Sequence, residues 1–153
     1  MTEQQPPSEK RIMALDLGEK RIGVALSDEM HLIARSYTVV ERTSRDADYE
    51  QFAAIVAEED VGYLVVGLPV QLDGEEGQIA AWVRDYTTEL AGRLGIGYTF
   101  WDESFTTEQA SASMRERGTR AREQRDWIDA VAAAFILQDY LDARRRRGLE
   151  RSE

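Results

Sequence analysis

Residues 11–17 read Arg11-Ile12-Met13-Ala14-Leu15-Asp16-Leu17, an apolar run interrupted by one acid and closed by Gly18-Glu19-Lys20. A run this short, this hydrophobic and bounded by turn residues reads as a buried strand. Beyond the turn, 21–27 (RIGVALS) and 32–40 (LIARSYTVV) read as two further strands. The short links between the three predict an antiparallel meander. Residues 46–59 carry a helical period with Phe52, Ile55 and Val56 inward. Residues 61–68 (VGYLVVGL) form a near-continuous apolar stretch stopped by Pro69, the mark of a central strand covered on both faces. An amphipathic helix over 76–94, closed by Gly95, leads to a fifth strand at 96–101. A helix over Thr106–Arg117, with Thr106 or Thr107 as its cap, and a last helix from about Asp126 to Ala143 complete the chain.

The order is β-β-β-α-β-α-β-α-α. A three-strand antiparallel meander joined to two α/β units predicts an α/β fold with a five-stranded mixed sheet and helices on both faces. This is the RNase H-like order. One domain is expected over 11–143, with a disordered tail at 1–10 and a charged tail at 144–153.

The chain of 153 residues has no cysteine and one histidine, His31. Disulfides and cysteine-rich metal sites are thereby excluded, and His31, in the apolar stretch 31–34, reads as a strand-end residue. A bound metal must rest on oxygen ligands, which favours Mg2+ or Mn2+ over zinc. Residues 1–10 are polar and unlike a secretory signal, and no apolar run approaches a membrane span, so a cytoplasmic protein without membrane contact is expected. A net charge of −10 opposes phosphate binding in general. Charge is unevenly spread, however. Arg115, Arg117, Arg120, Arg122 and Arg125 form a basic run that a nucleic acid could use, or a solvated helix face. Arg144–Arg147 reads as a solvated helix face or a tail.

Acids placed on apolar elements are the candidates for chemistry. Asp16 lies within the first strand, where an unpaired charge is costly; it would cap the turn at Gly18 or hold a metal. Asp102 and Glu103 close the fifth strand. Adjacent strand residues point to opposite faces, so one of the two faces any shared site, unless both simply favour the following helix terminus. Asp129 begins the stripe 129, 132, 133, 136, 140 of the last helix, whose alanines at 132–134 permit close approach to the sheet; an N-cap at Asp126 would instead make it a capping-box acid. Three converging carboxylates repel one another unless cations intervene. Two divalent ions about 3.5–4 Å apart would relieve the repulsion and supply phosphodiester chemistry. The loop from Val66 to Gly77, with two acid-flanking glycines after the central strand, either borders that site or is a plain connection.

The run Ala14-Leu15-Asp16-Leu17-Gly18-Glu19-Lys20-Arg21-Ile22-Gly23-Val24-Ala25-Leu26-Ser27-Asp28 resembles the opening motif of the YqgF/RuvX family, Holliday-junction resolvase-like proteins implicated as nucleases in 5′ maturation of pre-16S ribosomal RNA. Val65-Val66-Gly67-Leu68-Pro69 with Leu72-Asp73-Gly74, Asp102-Glu103 with Thr106-Thr107, and Asp129 with Ala132-Ala133 and Ile136–Leu141 resemble its later motifs, in order over about 11–142. The resemblance implies divalent-metal nuclease chemistry on pre-rRNA, single strands or branched DNA. It makes Asp16, Glu103 and Asp129 the catalytic metal ligands, with Asp102 nearby. Lys20 and Arg21 would touch phosphate, together with Arg120, Arg122 and Arg125 from the basic run. Junction resolvases work as dimers, which leaves a homodimer open, although no self-complementary face can be read. Ser104 and Phe105 stand where the family has Arg-Leu, so one positive charge beside the site is lost.

Two other readings compete. Asp16-Leu17-Gly18 also resembles the phosphate loop of actin-like phosphotransferases, but that architecture closes two such domains around ATP. A nucleic-acid-binding or ribosome-associated module without turnover would keep the fold, yet has no need of carboxylates that repel phosphate.

Overall fold

Strand β1 (Arg11–Leu17) occupies the middle of a five-stranded sheet, between β2 (Arg21–Ser27) and β4 (Val61–Leu68), with β3 (Ala34–Glu41) and β5 (Gly97–Asp102) at the edges. The computed structural model describes residues 5–69, 77–102 and 121–151, the last helix by backbone alone at 121–126 and 149–151. β1, β2 and β3 run antiparallel in sequence, and β4 and β5 add in parallel, as the meander and the two α/β units require.

Alternation along β1 divides the core. Met13, Leu15 and Leu17 join Leu64 and Val66 under helices α1 (Arg45–Glu59) and α2 (Gln78–Leu94). Ile12 and Ala14 join Tyr63, Val65, Ala133, Ile136, Leu137 and Tyr140 under the final helix α3 (Ala121–Arg151). Every residue of β4 is buried, as expected for a strand covered on both faces. One side of the sheet therefore carries two helices, and the other a single helix whose buried face combines alanines with Ile136, Leu137 and Tyr140.

The helix ends have local causes. Ser44 Oγ accepts the Ala47 N–H at 3.1 Å and starts α1. Gly95, at φ 67°, closes α2 by donating to Ala91 O at 2.8 Å, a left-handed cap that glycine adopts without strain.

Several expectations need correction. The last helix begins at Ala121, so Asp126 lies inside it and is no N-cap. It continues to Arg151, so Arg144–Arg147 belong to helix and not to a tail. Neither region holds a residue that stops a helix; even Gly148 is accommodated. Residues 5–10 are placed and not disordered: Pro6 is buried, and Lys10 pairs with Asp60 at 3.2 Å. His31 sits in the β2–β3 turn at φ 60°, with Nε2 2.7 Å from Lys10 O, and is not a strand end. The expected helix over Thr106–Arg117 and residues 70–76 of the Val66–Gly77 loop lie outside the described residues. No helix among the described residues is long and apolar enough to cross a membrane.

Candidate metal centre

Asp16 shares the parity of Ile12 and Ala14, so it belongs to the face of the sheet that α3 covers. It is half-buried. Directly opposite it in the antiparallel ladder is Gly23. Residues paired in this way stand side by side on one face, but Gly23 contributes no side chain. Its vacant place is taken by α3: a Cβ on Gly23 would lie 1.8 Å from Asp129 O and 2.8 Å from Ala130 N. Asp16 and Asp129 therefore flank one glycine from adjoining elements. Ala130 and Ala133, both fully buried, hold the helix at this short spacing.

Arg21 is two residues from Gly23 on the same strand and so on the same face. Its Nε donates to Asp129 Oδ2 at 3.2 Å. The ion pair is partly open to solvent, with side chains 41% and 24% exposed. It balances the Asp129 charge and fixes the carboxylate beside the β1–β2 turn. Lys20, exposed on that turn, adds a second cation.

The fifth strand reaches the same end of the sheet, with Asp102 paired to Leu68. Trp101 packs into the α3-side cluster, whereas Tyr98 and Phe100 pack on the α1/α2 side. Asp102 has the parity of Tyr98 and Phe100, which puts it on the face away from Asp16 and Asp129. Trp101 fastens the strand end to α3: Nε1 donates to Asp139 Oδ2 at 2.7 Å, and its ring meets Tyr140 edge-on at 5.4 Å. Glu103 lies outside the described residues, as does Arg120; Arg122 and Arg125 are described by backbone alone, within α3.

Among the described residues, no three Asp, Glu, His or Cys side chains close into a metal-binding set. Asp16 and Asp129 stand on the same face, on the two elements that meet at Gly23. Carboxylates without thiolate or imidazole suit a hard divalent cation.

Three structural features, the first at the site and the other two away from it, carry no obvious signal in the sequence. Gly23 in a strand reads as a weak strand residue. Asp48 reads as a helix first-turn acid, yet it is buried and accepts from Tyr86 OH at 3.0 Å and Thr43 N at 3.1 Å. Asp28, at the end of β2, accepts from the backbone of Met30, Leu32 and Ile33. Burial disfavours its charge, but these donors outweigh burial and hold its pKa below the ordinary aspartate value.

The profile of the RuvX family, described as Holliday junction resolvase, matches residues 10–143. A protein from Anaeromyxobacter sp. (strain Fw109-5), named "Putative pre-16S rRNA nuclease", is 45% identical over 134 residues, covering 88% of this chain and 98% of its own length. One of the same name from Myxococcus xanthus (strain DK1622) is 44% identical over 135 residues, covering 88% and 89%. Thermus thermophilus RuvC, solved with a Holliday junction substrate, superposes with a TM-score of 0.56 at 15% identity, over 88% of this chain and 95% of that one. Fowlpox virus resolvase, solved with Holliday junction DNA, gives 0.55 at 8% identity, over 87% and 97%. At these identities the two solved structures speak to the fold alone. The chain belongs to the RuvX family and carries the RNase H-like fold.

Proposed function

We propose that this protein is a divalent-metal-dependent nuclease that hydrolyses phosphodiester bonds, acting in 5′-end processing of pre-16S ribosomal RNA or on branched nucleic acid. The observation that carries the reading is the placement of Asp16 and Asp129 on either side of Gly23. A helix packed against a glycine brings these two acids to one face of the sheet, where Arg21 balances the charge of Asp129 and the carboxylate oxygens suit a hard divalent cation. Family membership agrees, as do relatives named for pre-16S rRNA nuclease activity.

Asp16, Glu103 and Asp129 would hold Mg2+ or Mn2+. Bound there, the metal supplies Lewis-acid polarisation of the phosphate and a lowered pKa for the attacking water. Asp16 contributes a carboxylate from the rigid centre of the sheet, so its position is set by the β1 ladder and not by a loop. Asp129 arrives on α3, held by Arg21 until substrate draws the guanidinium to a phosphate oxygen. Lys20 orients the backbone of the nucleic acid on the other side of the turn. Arg120, Arg122 and Arg125 extend the phosphate track.

The test is cleavage of labelled single-stranded RNA and of a four-way DNA junction, with magnesium, manganese or EDTA, by wild type and Asp16→Asn. Metal-dependent cutting that vanishes in the folded variant is expected, and the better substrate separates RNA processing from junction resolution. A variant that still cuts removes Asp16 from the site. Tight binding without cutting by wild type replaces the enzyme with a binding module on the same fold.

A further inference from the structure

Arg42 follows β3 directly and touches three consecutive residues of the β1–β2 turn. Its main-chain N–H donates to Lys20 O at 2.9 Å. Its Nη1 donates to Glu19 O at 3.0 Å and to Gly18 O at 3.4 Å. The guanidinium lies 4.5 Å from the Trp82 ring centroid and 5.8 Å from that of Tyr86, both on α2, within the ~6 Å range of cation–π attraction. Asp48 Oδ2 stands 3.9 Å from its Nε. Asp48 is in turn held by Tyr86 OH and by the Thr43 N–H.

The turn does not need this clamp in order to close. Leu17 pairs with Ile22, and the Gly18 N–H donates to Arg21 O at 3.0 Å, which completes the hairpin. Arg42 is also imperfectly satisfied itself, since Nε is buried without a hydrogen bond, a costly arrangement. Its position follows from the turn carbonyls and the Trp82 ring, at the expense of Nε. The atoms so fixed are the backbone of the residues between Asp16 and Arg21, including the residue that carries the exposed Lys20 ammonium.

We propose that Arg42 is a positioning residue for nucleic-acid binding: it clamps the Gly18–Lys20 turn against Trp82, and so presents Lys20 and Arg21 to a phosphate in register with Asp16. The inference rests on the nuclease reading and deepens it. Lysine does not reproduce arginine here, because a compact ammonium that reached the carbonyls would leave no guanidinium group beside the indole ring.

The experiment is a double-mutant cycle on the full chain in an Asp16→Asn background, which binds without turnover. Labelled single-stranded RNA with magnesium is the probe. Lys20→Ala and Arg42→Lys are each expected to weaken binding about threefold to tenfold, the scale of one hydrogen bond's net contribution. The double variant is expected to bind no more weakly than Arg42→Lys alone, because an unclamped turn no longer delivers Lys20. Faster amide exchange at 18–21, with β1 and β2 unchanged, is expected alongside. Trp82→Leu leaves Arg42 in place and carries the same cycle if Arg42→Lys does not fold. Losses that simply multiply, or parental affinity in Arg42→Lys, overturn the proposal. Wild-type protein that neither binds nor cuts nucleic acid removes the nuclease reading itself, an outcome seen before any turn variant is made.

Discussion

The main-chain carbonyl of Asp129 occupies the space that a side chain on Gly23 would fill, 1.8 Å from the ideal Cβ position. The obstruction is helix backbone on one side and strand backbone on the other, so neither can yield by changing a rotamer. Gly23→Ala must push α3 away from the sheet. The expected cost is about 3 kcal/mol, read from the denaturant midpoint. Nuclease activity is expected to fall further than stability, because the displacement also separates Asp129 from Asp16. A Gly23→Ala protein of wild-type stability and activity would show that the helix does not sit this close.

Asp129→Asn separates chemistry from folding. Its pair with Arg21 is partly exposed, and pairs of that kind contribute about 0–1 kcal/mol. Unfolding of the metal-free variant is therefore expected to stay within about 1 kcal/mol of wild type. Saturating magnesium should raise the melting temperature of wild type, by the linkage between ligand binding and folding. It should leave the variant unmoved. Equal stabilisation of both by magnesium would place the metal elsewhere.

Asp28 gives a pH signature. Its folded pKa lies below its unfolded value, since three backbone donors overcome the opposing effect of burial. Its contribution is thus fully present above the unfolded value, about 3.9, and is lost as pH falls through the folded one. Asp28→Asn is expected to be less stable than wild type by about 1 kcal/mol at neutral pH, with the gap closing in acid. Denaturant midpoints measured from pH 7 downward check it, and a gap that stays constant with pH would rule it out.

The basic run is tested by salt. Replacing Arg120 and Arg122 with alanine is expected to weaken RNA binding and to reduce the slope of log affinity against log salt by about 1.4, at ~0.7 per released counterion on single strands. An unchanged slope returns both residues to the role of solvated helix face.

Much of this architecture is legible in the sequence where one element settles its own fate. The unbroken apolar run of β4, the Gly95 stop and the acid inside β1 all announce their roles, because burial on both faces, a left-handed cap and a charge among hydrophobes leave local marks. What escapes local reading depends on distant partners. The Arg21–Asp129 pair joins residues 108 apart, and Gly23 acquires its meaning only from the helix that lies on it. Asp48 resembles any first-turn acid until Tyr86 and Arg42 surround it. The start of α3 was obscured by Asp126, which has the chemistry of a cap but is preceded by Ala121-Arg122-Glu123-Gln124-Arg125, residues that extend a helix readily. Asp102 and Glu103 are neighbours in sequence, but strand alternation sends Asp102 to the α1/α2 face.

The two sides of the sheet differ in how much change they tolerate. Under α1 and α2, large side chains such as Tyr49, Phe52, Tyr86 and Leu90 interlock, and one substitution there can be absorbed by several neighbours. Under α3, Tyr63, Ile136, Leu137 and Tyr140 pack alongside Gly23, Ala14, Ala25, Ala130 and Ala133, and these last five have no torsions through which to adjust. Variation that hardens the protein against heat is therefore best sought beneath α1 and α2. The α3 side behaves as a calibrated spacer, where adding a single methyl group at Gly23 resets the distance between helix and sheet.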